Sequence, residues 1–195
     1  ISEIHDRIAF AAVGKYNEFE NLRVAGIRYA DLRGYSYDRS DVTARALANA
    51  YAQTLGTVFT QDQKPYEVEI VVAEVGRLLA GDRIYRLAYD GSVTDERGWV
   101  AIGGDSERLN DALGSRWVPG MDLHDAFDLA RDVLSLRDEG GDLLPDAALE
   151  IAVLEQPLGA RDNAAHVRTR HEALAREQQR AEHDARHVRQ HARTL

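Results

Sequence analysis

Apolar positions in the first sixty residues change period twice. "RIAFAAVG" (residues 7–14) is a short apolar run closed by glycine and predicts a buried strand. Residues 16 to about 35 then predict a helix, and its apolar side chains are Tyr16, Phe19, Leu22, Val24, Ile27, Tyr29, Leu32 and Tyr35. At about 100° of turn per residue these fall nearly all the way round. A helix lying on one core needs a single apolar stripe, so a second partner is expected on the far side. Residues 40–59 behave differently. Leu47, Tyr51, Leu55 and Val58 give a one-faced helix, with Ser40 or Asp41 expected as N-cap.

Beyond Pro65, "YEVEIVVAEVG" (66–76) predicts a strand, with Val68, Ile70 and Val72 on one face and Val71 and Ala73 on the other. Its centre is therefore expected to be covered on both sides. Residues 83–104 predict short strands around turns, with Asp90-Gly91 as the hairpin signal. Two helices are expected next, over 106–117 and 121–136, the second with a stripe of Leu123, Phe127, Ala130 and Leu134. "ALEIAVLE" (148–155) predicts a last strand. Helices arrive in consecutive pairs rather than singly between strands. That order disfavours a doubly wound parallel sheet and favours sheet layers flanked by helix pairs, an α+β architecture.

Composition refines this picture. The absence of cysteine excludes disulfides, thiolate metal sites and cysteine catalysis. The net charge of −9 argues against general nucleic-acid binding, and no apolar run approaches a membrane span. Charge is uneven: from Arg161 onward eight Arg face five Asp or Glu, a balance of +3, which leaves −12 before it. That shift predicts a domain over 1–160 and an Arg/His-rich, solvated or poorly ordered tail over 161–195. The chain opens on Ile1 rather than Met, which reads as processing or as residues upstream of those given.

Candidate chemistry is sparse. His183, His187 and His191 recur at i, i+4, i+8 and could share one helical face, the pattern of a divalent-metal site. They lie in a segment with no core to fix their geometry, so a solvated His-rich tail is the plainer reading and no metal is expected. "HEALA" (171–175) has Ala175 where a zincin needs its second His. The pairs Gly103-Gly104 and Gly140-Gly141 lack dinucleotide or P-loop spacing and read as turns. Asp105, Glu107, Asp125, Asp128 and Asp132 sit on polar helix faces, and no G-x-S-x-G elbow accompanies "DGS" (90–92). No catalytic residue and no cofactor are expected. An all-round apolar helix without chemistry points to a surface buried by other chains.

These residues resemble a known family. The run "ISEIHDRIAFAAVGKYNEFENLRVAGIRYADLRGYSYDRSDVTARALANAYAQTLGTVFT", with "KPYEVEIVVAEVG", "IYRLAYDGSVTDERGWVAIGG" and "LEIAVLE", resembles the α subunit of the actinobacterial 20S proteasome, from Ile1 to about Glu155. The resemblance implies a four-layer α-β-β-α sandwich of the N-terminal-nucleophile hydrolase type. It implies seven-membered α rings capping rings of β subunits, in the cytoplasm, with proteolysis by the N-terminal Thr of the β subunits. The α ring would gate substrate passage and dock a regulatory AAA ATPase that delivers tagged proteins.

No such nucleophile is offered here. Ser2 would need Ile1 removed, and Thr43, Thr54 and Thr57 are internal. The chain is therefore expected to be a non-catalytic subunit. The alternatives are a β-type or stand-alone hydrolase, or a truncated relic. Family members carry further residues before the point matching Ile1, including a gating segment, two strands and a lysine that receives the ATPase tail, so the sandwich is expected to be incomplete at its N-terminal strands. After "LEIAVLE" the family has a basic strand and a short amphipathic helix. The Arg/His/Ala/Gln-rich tail is similar to neither, and reads as a lineage-specific tail or the product of a shifted frame. The expected interface residues are Tyr16, Phe19, Leu22 and Tyr35, which together with the helix over 40–59 face neighbouring subunits and above all the β ring.

Overall fold

The computed structural model describes residues 1–76, 81–136, 143–155 and 166–169. Five antiparallel strands form one sheet in chain order: β1 (Ser2–His5), β2 (Ile8–Gly14), β3 (Val68–Glu74), β4 (Arg83–Leu87) and β5 (Val93–Glu96). Register runs Phe10↔Val72↔Tyr85 across its centre. Alternation then puts Ile8, Phe10, Val68, Ile70, Val72, Tyr85 and Leu87 on one buried face. The helices α1 (Tyr16–Ser36) and α2 (Ala44–Gln61) lie on that face, α1 over β1–β3 and α2 over β3–β5. Their contributions, Leu22, Ala30, Leu47, Ala48, Tyr51 and Leu55, complete the core. Each large side chain fully removed from water there stabilises the fold by about 2 kcal/mol.

Strand β1 was not expected. Its segment lacks an apolar run, and it pairs with β2 through a tight turn in which Asp6 takes a positive φ of 22°. Arg39 pairs with Asp6, while Arg7 reaches the Val75 carbonyl (3.0 Å) and Glu74 (3.2 Å). Glu74 also accepts the Ala44 N–H at 2.8 Å, so one carboxylate ties the hairpin to the start of α2.

Two helix expectations are corrected. Neither Ser40 nor Asp41 caps α2. Residues Arg39–Asp41 form a 3-10 turn, and Thr43 is the cap, its Oγ1 accepting the Ala46 N–H at 3.2 Å. The helices α3 (Ser106–Arg116) and α4 (Leu123–Ser135) form a pair of their own, sharing Leu109, Leu129 and Val133. The stripe Leu123, Phe127, Ala130, Leu134 is thus not the buried face of α4: Ala130 and Leu134 are exposed, because α3 packs against the adjacent face. Trp117 packs on Gly98 and Trp99 on Gly114, with ring centroids 5.2 Å apart. Asn110 fixes the preceding loop by bonding both the N–H and the carbonyl of Ala101 (2.8 and 2.9 Å).

The second face of the sheet, with Val71 and Ala73, is half-buried rather than fully covered. The last predicted strand is shorter, with a 3-10 turn over Asp146–Ala148 followed by β6 (Ala152–Glu155). It pairs antiparallel with β7 (His166–Thr169) in a separate two-stranded sheet. The expected boundary at 160/161 and most of the expected tail lie outside the described residues. The fold is α+β, with a five-stranded antiparallel sheet, a two-stranded one and four α-helices among the described residues.

Candidate functional site

The site follows from how α1 sits on the sheet. Glu18, Leu22, Gly26 and Ala30, four residues apart, form the buried ridge of the helix. At Gly26 the approach is tight, since a Cβ there would overlap the Tyr51 hydroxyl of α2. That hydroxyl has no hydrogen-bond partner, and burial pushes the Tyr51 phenol up. Phe19, Ile27 and Tyr29 border the ridge, packed on the core while partly open.

Three of the remaining apolar side chains of α1 are exposed, while Val24 is half-buried. Tyr35 is 91% exposed, Tyr16 70% and Leu32 69%. Of the four expected interface residues, the structure therefore places Tyr16 and Tyr35 on the open side and Phe19 at the margin, edge-on to Tyr16 with centroids 5.3 Å apart. Leu22 is a correction: at 3% exposed it belongs to the chain's own core, because its position falls on the sheet-facing ridge. Tyr16 and Phe19 also line a cleft of about 450 Å³ with Phe10, Ala12 and the bonded pair Glu20–Arg23 (2.7 and 2.8 Å).

The first turn of α1 is held electrostatically. Burial pushes the Glu18 carboxyl up, but the Glu67 N–H and the Lys64 and Lys15 ammonium groups outweigh it and hold it below the usual carboxylate range. At the other end of the helix, the Arg39 guanidinium holds Asp6 low against its partial burial.

Alongside lies the outer face of α2, the other helix expected at the contact. From Ala46 to Gln61, α2 carries no Asp, Glu, Lys or Arg, in a chain that is 29% charged. Its exposed Thr54, Thr57 and Thr60 hydroxyls donate to the carbonyls of Ala50, Gln53 and Gly56 (3.1, 2.8 and 2.8 Å). At the end of the helix Phe59 meets Tyr89 of the β4–β5 hairpin, centroids 5.7 Å apart, and both rings are about half exposed. The missing charges were the available signal for this face. Tyr89 carried none, since its neighbour is set by tertiary packing.

Other chemistry does not assemble. Among the described residues no group of three or more His, Asp or Glu is placed to hold a metal ion. His183, His187 and His191, "HEALA" and Gly140-Gly141 lie outside the described residues. A second cleft of about 470 Å³ beside α3 is lined by Arg86, Arg97, Trp99, Asn110 and carboxylates. Arg86 there is committed to Glu69 at 2.5 Å. Thr43 caps a helix, and Thr54 and Thr57 bond their own backbone. No described helix is long and apolar enough to cross a membrane.

The geometry is thus a sheet with two helices on one face, of which α2 is free of charge from Ala46 to Gln61 while α1 mixes exposed aromatics with exposed Arg28 and Asp31. A family profile described as proteasome subunit matches residues 1–151. The proteasome subunit alpha of Sanguibacter keddieii is 65% identical over 158 residues, covering 80% of this chain and 62% of that protein. The subunit alpha of Xylanimonas cellulosilytica is 64% identical over 164 residues, covering 80% and 67%. That of Thermobifida fusca is 55% identical over 183 residues, covering 93% and 72%. The chain spans a little over six-tenths of the length of the first of these relatives. With most of its residues matched at such identity, this chain belongs to the proteasome subunit family, beside the members called subunit alpha.

Proposed function

We propose that this chain is a non-catalytic α-type ring subunit of a cytoplasmic proteasome, forming a seven-membered ring with its own kind and stacking on a ring of β subunits. In this reading the ring controls substrate passage and docks a regulatory ATPase. The observation that carries it is the outward display of Tyr16, Leu32 and Tyr35 on α1 beside the charge-free face of α2. Large aromatics in a setting depleted of charge are the composition of an interface core rather than of a solvated surface. Two long helices side by side offer a patch of the kind that a neighbouring subunit covers. The absence of catalysis is supported by the internal threonines, whose hydroxyls serve the backbone.

Co-expression with a proteasome β subunit, followed by electron microscopy and a fluorogenic peptide assay, tests the proposal. Stacked rings whose activity vanishes when the β-subunit nucleophile is replaced are expected. Peptide cleavage by this chain alone, or a chain that ignores the β subunit, contradicts it.

A further inference from the structure

The first turn of α1 is anchored across the fold rather than within the helix. Lys15, at the N-cap, makes no capping hydrogen bond with its side chain, only a 3.9 Å ion pair with Glu18. Glu18 stands three residues on, where a capping box would send its carboxylate back to the Lys15 N–H. Here that N–H donates instead to the Glu67 carbonyl at 2.9 Å. Glu18 Oε2 accepts the N–H of the same Glu67 at 2.6 Å, and Lys64 Nζ donates to Oε1 at 3.0 Å. Both backbone groups of one residue, 49 positions away from Glu18, are thus tied to the start of the helix. Gly14, with a φ of +112°, permits it, because a side chain there would occupy the place of the Glu67 carbonyl.

Residues two apart on a helix point about 200° from one another. Anchoring Glu18 inward, at 8% exposure, therefore sets the direction in which Tyr16 stands outward. We infer that Glu18 is a positioning residue of the subunit contact: clamped to the Glu67 backbone and Lys64, it fixes the turn that presents Tyr16 to a neighbouring subunit. This rests on the reading of the outer α1 face as an assembly surface. Phe19, edge-on to Tyr16, transmits the same constraint along the turn.

A double-mutant cycle tests it. The full chain and its Glu18→Ala, Tyr16→Ala and doubly substituted forms are titrated against a proteasome β subunit, and the concentration for half-assembly is read by mass photometry. Glu18→Ala is expected to raise that concentration about tenfold alone but less than about twofold in the Tyr16→Ala background, because coupled residues are non-additive. Glu18→Gln, whose amide oxygen still accepts the Glu67 N–H, recovers most of the assembly. Leu129→Ala, in the separate α3–α4 cluster, loosens that cluster without moving the assembly midpoint. Should Glu18→Ala not fold, Lys64→Met removes one tie and the same criterion applies. Equal factors in both backgrounds, or an unmoved midpoint for Glu18→Ala, overturn the inference alone. Normal assembly of Tyr16→Ala overturns it together with the reading beneath it.

Discussion

The two helix pairs of this chain are built to different standards. Among the described residues, the α1–α2 pair and its sheet share sixteen buried core residues, whereas α3 and α4 meet over three, Leu109, Leu129 and Val133. Their outer faces differ in the opposite sense. The outer face of α2 carries no charge over sixteen residues, while α3 and α4 are laced with Arg108–Asp105, Arg116–Asp132 and Arg131–Asp128 pairs. Exposed ion pairs of this kind contribute little to stability, typically under about 1 kcal/mol each, and suit a face that meets water. In the proposed reading the better-packed pair is also the one that meets another protein, through the charge-free part of α2 and the exposed aromatics of α1. A rigid inner core suits that role, because it holds the outer face in place without help from the partner.

The sharpest way to break the contrast is to remove one buried side chain from each region. Leu47→Ala, fully buried under α2, should cost about 3–4 kcal/mol in urea unfolding of the isolated chain. Leu129→Ala, at the edge of the smaller cluster, should cost about 2 kcal/mol and leave the main transition in place. Equal costs in one common transition would merge the two regions.

A second test adds rather than removes. Gly26→Ala drives a methyl into the Tyr51 hydroxyl and should destabilise by about 1–3 kcal/mol. Tyr51→Phe should return part of that loss in the Gly26→Ala background, because it deletes the obstructing atom. Full additivity of the two would show that the helices are not in close contact there.

Native-state hydrogen exchange grades the regions without mutation. Amides of α2 should exchange only through global unfolding, and those of α4 at least about tenfold faster through local opening. Titration gives the smallest effect. Glu18 and Asp6 are held below their ordinary values in the folded chain, near about 4.3 and 3.9 when unfolded. Their contributions are complete above those unfolded values and are lost as pH falls through the lower folded ones. Glu18→Gln should therefore flatten the acid limb of the stability curve, and an unchanged slope would remove Glu18 from the clamp.

Local periodicity was enough to read α1, α2, β2, β3 and the β4–β5 hairpin, because each carries a period and a stop signal that tertiary contacts reinforce. It failed where contact order decides. The β1 strand earns its place by pairing and by the Asp6–Arg39 and Arg7–Glu74 ties, and the buried side of α4 is chosen by α3. The candidate surface was half legible. Excess aromatics on α1 signalled it, but which of them point outward depends on the ridge set by Glu18 and Gly26, so Leu22 was misplaced. The Thr hydroxyls turned back on α2 and the Phe59–Tyr89 contact needed coordinates.

The central claim is that the outer face of α1 is for another subunit. Tyr35→Glu, at the most open aromatic of α1, isolates it. Sedimentation of this variant with a proteasome β subunit should show loss of ring-sized particles, while its own unfolding stays within about 0.5 kcal/mol of wild type. Particles of full size at normal yield would contradict the account.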